Sequence, residues 1–313
     1  MRRSISLAAT LRPVCVALLL ALAACSPKTY ALRNVADALS SESKGGAFAR
    51  DDDPELVGDA VPFALKTMEQ LADSLPDHAG LRLGMARGFT QYAYGWVQLP
   101  ADELAEKDLA RAKEEQDRAA RLYLRARGYG LDGLRMTRGI KIEELRGPEQ
   151  ARSAALARLN KDDVPMLYWT FAAWGAAISL RKQDLDLVGD VPAVAAMLDR
   201  ALSLDETYGE GALQEFALQI DPARPEGTTP EKQRAHFDRA RELQKGKKIS
   251  ALVTFAEAVA GPGQDRKLFE SLLKEAVDFD VDKPEAREDR LANMLARRRA
   301  KFLLAHESDI LSD

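Results

Sequence analysis

Cysteine and histidine are the scarcest chemistry in this chain, with two Cys and three His (His78, His236 and His306) among 313 residues. A structural zinc site takes four ligands, so little remains from which to build one, and no metal site is expected. Aromatics are only 6% and β-branched residues few, while Ala, Leu, Glu and Arg abound, which favours helix over sheet. Basic residues show no excess, and a formal charge of -4 argues against nucleic-acid binding. No HExxH, GxSxG or P-loop is present, and no paired histidines suggest catalysis. Glu143, Glu144 and Glu215 are carboxylates of the kind that surface or cap helices, so no catalytic residue is expected. With 46% hydrophobic and 30% charged residues, the composition describes a soluble, acidic, all-α protein.

A long hydrophobic run is also missing. Val14 to Ala24 is apolar over about 11 residues, too short to span a bilayer but suited to the core of a secretory signal, and Met1-Arg2-Arg3 precedes it. The run ends in Leu22-Ala23-Ala24-Cys25, which resembles the bacterial lipobox. That resemblance implies cleavage before Cys25, acylation of its sulfur and new amino group, and a covalent lipid as the only prosthetic group. The alternative is an ordinary secretory signal that leaves Cys25 a free thiol. Removing residues 1-24 leaves 42 basic against 49 acidic residues, a net charge of -7. Cys15 leaves with the signal, so disulfides and a cysteine nucleophile are not expected. Ser26 after the cysteine resembles the outer-membrane sorting default.

The organisation expected is a signal peptide over 1-24, a lipidated segment with a first helix over 25-50, and one helical domain over 51-313. Asp199-Arg200-Ala201-Leu202-Ser203-Leu204-Asp205 is echoed at Asp238-Arg239-Ala240-Arg241-Glu242-Leu243-Gln244 and at Lys274-Glu275-Ala276-Val277-Asp278-Phe279-Asp280. Leu71 to Asp77 carries the same pattern. Each is read as the close of a helix before a turn, giving degenerate TPR-like helical hairpins in place of a clean array. Asp53-Pro54, Asp163-Val164-Pro165, Asp190-Val191-Pro192 and Thr229-Pro230 are read as helix starts. Loops are expected at Ser43 to Gly46, Gly128 to Gly133, Gly147-Pro148, Pro222 to Thr229 and Gly261-Pro262-Gly263.

Two stripes concentrate the aromatics. Met85, Phe89, Tyr92 and Trp96 share one helix face, and Leu167, Phe171, Trp174 and Ile178 share another. Core packing is the default reading of both. Ala172, Gly175, Ala176 and Ser179 form a small-residue face suited to close helix crossing. Tyr92, Trp96, Tyr168, Trp169, Trp174 and Tyr208 are the candidates to line a chamber for a small apolar ligand.

The segment Asp51-Asp52-Asp53-Pro54-Glu55-Leu56-Val57-Gly58 resembles the opening of the TatT family, the lipoprotein T components of tripartite ATP-independent periplasmic (TRAP) transporters. The likeness continues through Tyr92-Ala93-Tyr94-Gly95-Trp96, Asp163-Val164-Pro165-Met166-Leu167-Tyr168-Trp169, Leu204-Asp205-Glu206-Thr207-Tyr208-Gly209-Glu210-Gly211 and Arg290-Leu291-Ala292-Asn293-Met294. It implies a TPR-like protomer, a homotrimer, a cavity or pore, and contact with the periplasmic solute-binding P component. It also implies a periplasmic place on a membrane, expected to be the outer one, with no nucleic acid as partner. The family pattern has His where this chain has Gln214, which puts any role of that residue in question. The competing reading is a TPR-like adaptor of envelope assembly that carries no ligand.

Overall fold

In the computed structural model, residues 27–41 and 46–312 are described, and helices and turns account for them without a strand. Cys25 and the signal segment lie outside the described residues. The all-α expectation therefore holds.

Helix α1 (Pro27–Ser40) leads into α2 (Pro54–Ser74) and α3 (Ala79–Tyr92). Helix α3 continues without a break as a π-helical turn, Ala93–Gln98, and then as α4 (Leu99–Leu104). Helix α5 (Leu109–Arg138) is the longest and packs along both α3 and α8 (Val164–Leu180). Short helices α6 (Ile142–Arg146) and α7 (Glu149–Leu156) connect them. Then follow α9 (Leu185–Val188), α10 (Val191–Asp205), α11 (Ala212–Ile220) and α12 (Pro230–Gln244). Helix α13 (Ser250–Phe255) runs into a second π-helical turn, Ala256–Ala260. The chain ends in α14 (Arg266–Asp278), α15 (Arg290–Ala305) and α16 (Glu307–Ile310).

Three apolar clusters hold these helices. The largest surrounds Tyr123, Leu167, Phe171 and Trp174; a second surrounds Phe237, Phe255 and Phe269; a third joins α2 and α3 through Leu65, Leu81, Met85 and Phe89. The last long helix returns to the first half of the chain. Arg290 of α15 pairs with Asp52 at 3.2 Å, and Arg298 takes Glu103 of α4 with two nitrogens at 2.6 and 2.5 Å. Helical order thus closes back on its beginning.

The repeat segments end helices as read, since α10 stops at Asp205, α12 at Gln244 and α14 at Asp278. Two of the four predicted helix starts use their side chains as caps. Asp53 accepts from the amides of Glu55 and Leu56, and Thr229 accepts from Lys232 N. The other two helices start where expected, but their aspartates are engaged elsewhere. Asp163 is held by Arg138 at 2.8 Å, and Asp190 takes Arg146 at 2.6 Å and the Trp174 indole at 3.0 Å. A charged or indole donor across the fold outcompetes the helix's own amides.

The loop expected at Gly128 to Gly133 is instead continuous helix within α5. A Cβ on Gly130 would lie 2.1 Å from Thr170 Oγ1, and one on Gly133 2.3 Å from Met166 Cε. These glycines let α5 and α8 cross closely, so their role is contact and not chain reversal. The crossing face of α8 is accordingly Met166, Thr170, Ala173 and Ala177, all buried. Of the expected face, Gly175 meets α11, since a Cβ there would lie 2.7 Å from Phe216, while Ala172 and Ala176 are only partly covered and Ser179 is exposed.

Candidate functional site

Trp174 is fully enclosed, with its indole fixed on Asp190 and the Arg127 guanidinium 5.0 Å from its ring centre. It braces α8 from behind and presents no accessible surface. Tyr168 gathers the other aromatics: Trp169 at 4.9 Å, Phe171 at 5.4 Å and Tyr208 at 5.4 Å between ring centres. Phe216 of α11 extends the cluster to 4.8 Å from Phe171. Tyr168, Trp169 and Tyr208 are each only partly covered. The Trp169 Nε1 is buried and meets no hydrogen-bond acceptor among the described residues. Buried indole N–H groups are normally paired, so this one is a donor in reserve. Tyr92 and Trp96 form a separate stack, 6.1 Å apart and 15° from parallel. Trp96 donates to Pro54 O at 2.7 Å and lies across Gly58, where a Cβ would fall 2.2 Å from its ring. The six predicted residues are therefore divided among one core position, one aromatic cluster and one stack against α2.

A polar recess that sequence reading missed joins the two halves of the chain. Tyr94, on the first π-helical turn, keeps 39% of its surface accessible. Burial nonetheless pushes its hydroxyl well above the usual phenol range, and the negative charges of Glu257, Asp102 and Glu215 push further against partial relief from Arg299. A group both accessible and surrounded by protein faces a recess, not open surface. Glu257 sits on the second π-helical turn, so both distortions bring side chains to this one place. Such turns re-aim helical side chains and are frequent at functional sites.

Arg299 ties the recess together. Its Nε is 3.0 Å from Glu257, Nη2 is 2.5 Å from the same oxygen, and Nη1 is 3.1 Å from Asp102. Burial alone would disfavour its charge, but Glu257 and Asp102 outweigh that and keep it protonated. Asp102 also accepts from Gln116 at 3.1 Å; burial still leaves its carboxyl above the ordinary range. Glu215 on α11 is raised by burial too, although Ser250, Gln244 and Thr254 donate to it at 2.9, 2.6 and 3.4 Å. Tyr123 donates to Gln98 at 2.6 Å from the α5 side. Arg299 with Glu257 and Asp102 forms one hydrogen-bonded group, and Glu215 with Ser250, Gln244 and Thr254 forms another. Arg299 stands in the basic run Arg297-Arg298-Arg299, and the returning position of α15 turns it inward. Among the described residues no group of three His, Cys, Asp or Glu is placed to hold a metal.

Gln214 is buried, and its Oε1 lies 2.6 Å from His236 Nδ1. His236 Nε2 lies 3.3 Å from Asp221, which also receives Lys232 at 2.7 Å and Arg224 at 2.6 Å. An imidazole is thus present in this knot, supplied by α12 while position 214 holds its amide partner. Burial raises the Asp221 carboxyl, but His236, Lys232 and Arg224 together carry it far below the carboxylate range.

The family described as TRAP transporter T-component matches residues 50–311. An uncharacterized protein of Treponema pallidum (strain Nichols) is 32% identical over 269 residues, covering 85% of this chain and 83% of that one. A match across nearly all the described helices, with the same protein-length coverage in a relative, identifies this chain as a member of the TRAP transporter T-component family.

Proposed function

We propose that this protein is a lipid-anchored accessory component that holds a solute-binding P protein near the membrane and exchanges a small solute with it. Family membership over residues 50–311 is the observation that carries this reading. Among the described residues no helix is long and apolar enough to cross a membrane, so ion-driven translocation is assigned to other subunits. The anchor is Cys25, on the outer membrane of the periplasm, and the assembly is a homotrimer of TPR-like helical hairpins. The role is non-enzymatic. The solute is small and partly apolar: the aromatic cluster of Tyr168, Trp169 and Tyr208 offers apolar walls, and Trp169 Nε1 offers an unused donor. The recess around Tyr94 and Arg299 offers polar contacts of the kind that fix a ligand's orientation.

Crosslinking in living cells tests this, followed by purification of the tagged protein and identification of its companions by mass spectrometry. A solute-binding protein together with a self-crosslinked ladder is the expected result. Recovery of envelope-assembly proteins alone overturns the reading in favour of an adaptor.

A further inference from the structure

We infer that the groove between the start of α2 and the outer face of α15 binds a zwitterion of short-peptide size with an apolar middle. This goes beyond the accessory reading above by naming a ligand class for a surface apart from the aromatic cluster and the Tyr94 recess. The groove encloses about 680 Å³, within the range of small-molecule sites. Its apolar lining is Pro54, Met294, Leu295 and Phe302. Two of its charges are already spent on each other, because Glu103 receives Arg298 through both oxygens. That fork, with the Trp96 indole on Pro54 O, fixes the two walls relative to one another.

The charges left over are balanced and lie on opposite walls. Arg297 and Lys301, one turn apart on α15, line the groove, and among the described residues neither side chain makes a salt bridge or hydrogen bond. Glu55 of α2 lines it likewise and feels Arg298 only at a distance. Asp53 commits Oδ1 to capping α2, and among the described residues its Oδ2 forms no bond. A simple organic anion would meet Arg297 and Lys301 but be repelled by the acids, and a simple cation the reverse. A neutral apolar ligand would strip water from four charges without replacing it. A molecule with a carboxylate at one end, an ammonium at the other and aliphatic or aromatic groups between satisfies both walls and the floor. The helices that form the walls are held before binding, so the ordering that opposes it is that of the free side chains.

Calorimetric titration of the detergent-solubilised full chain with leucylphenylalanine, its N-acetyl form and its C-terminal amide tests this. The free dipeptide should bind saturably, and each blocked form roughly tenfold more weakly, the effect of one lost charge contact. R297Q/K301Q should stop distinguishing the acid from the amide, and E55Q should stop distinguishing the amine from its acetyl form, with melting temperatures unchanged. Equal binding of the three forms, no saturable binding, or wild-type discrimination in both variants overturns the inference. Binding of the solute-binding protein, followed on the same preparations, separates the two claims. Absence of dipeptide discrimination by the wild-type protein, with that complex formed, sinks the groove alone, and absence of the complex, with wild-type discrimination present, sinks the accessory reading alone.

Discussion

Trp96 rests on Gly58 because no other residue leaves room for an indole there. In an exposed helix, alanine would gain about 1 kcal/mol over glycine. Here its Cβ would fall 2.2 Å from Trp96, so the ring must leave both its stack on Tyr92 and its bond to Pro54. Overpacking of this kind costs about 1–3 kcal/mol and exceeds the propensity gain. Gly58→Ala should therefore lower stability in urea titration and shift tryptophan emission to the red; unchanged stability and emission would contradict the packing described. Glu215 gives the opposite sign. Its folded pKa is raised, so its ionised form is disfavoured in the fold, and the penalty grows as pH rises from the ordinary carboxylate range through the raised value. Glu215→Gln should stabilise the protein at neutral pH, with the gain shrinking as pH falls through the raised value and gone below about pH 4. A variant less stable at both pH values would show that hydrogen bonding to the carboxylate outweighs its burial. Asp221 behaves in reverse, because its folded pKa is depressed. Its stabilisation is complete above the unfolded carboxylate range and disappears as pH falls toward the folded value. Asp221→Asn should accordingly flatten the acid limb of the stability curve.

At the scale of helices, the α5–α8 crossing makes a paired prediction. Gly128 and Gly130 stand two positions apart in α5, but a Cβ on Gly128 meets nothing within 4 Å while one on Gly130 lies 3.1 Å from Thr170 Cα. Gly128→Ala should stabilise by about 0.4–1 kcal/mol, and Gly130→Ala should destabilise by about 1–3 kcal/mol. Chemical denaturation of the two variants decides it, and effects of the same sign would refute the close crossing. The same pair explains what sequence could and could not reveal. Helix ends such as Asp205 and Gln244, and caps such as Asp53 and Thr229, depend on neighbours a few positions away and were legible. Glycine clusters in α5, the engagement of Asp163 and Asp190, and the chamber-facing role of Tyr94 depend on partners brought from distant helices. Periodicity placed Tyr92 and Trp96 on one regular face, but it carries no signal for a π-helical turn that begins between them.

Across the whole molecule, Arg299 joins positions 197 apart in sequence. Its side chain and that of Asp102 are 15% and 17% accessible, and Glu257 is 33% accessible, so solvent moderates the pairing. Arg299→Met should cost about 2 kcal/mol, less than the 3–5 of a fully enclosed pair. The loss should shrink in acid as Asp102 takes a proton. A pH-independent loss would mean that the arginine acts through packing alone. The returning α15 carries both this inward contact and the groove, and Phe302 of the groove lies 5.3 Å from the Arg299 guanidinium, so the two regions adjoin along one helix. Membership of the T-component family implies association with other TRAP components, and the closed helical order supplies a fixed body for the docking proposed above.

The most direct test of the central claim is titration of the purified protein, with and without the segment that carries the proposed anchor at Cys25, against the solute-binding protein from the same host. The account predicts saturable binding of equal affinity in both forms, because the docking surface belongs to the helical body. No binding by either form, with only envelope-assembly proteins captured in cells, would contradict it.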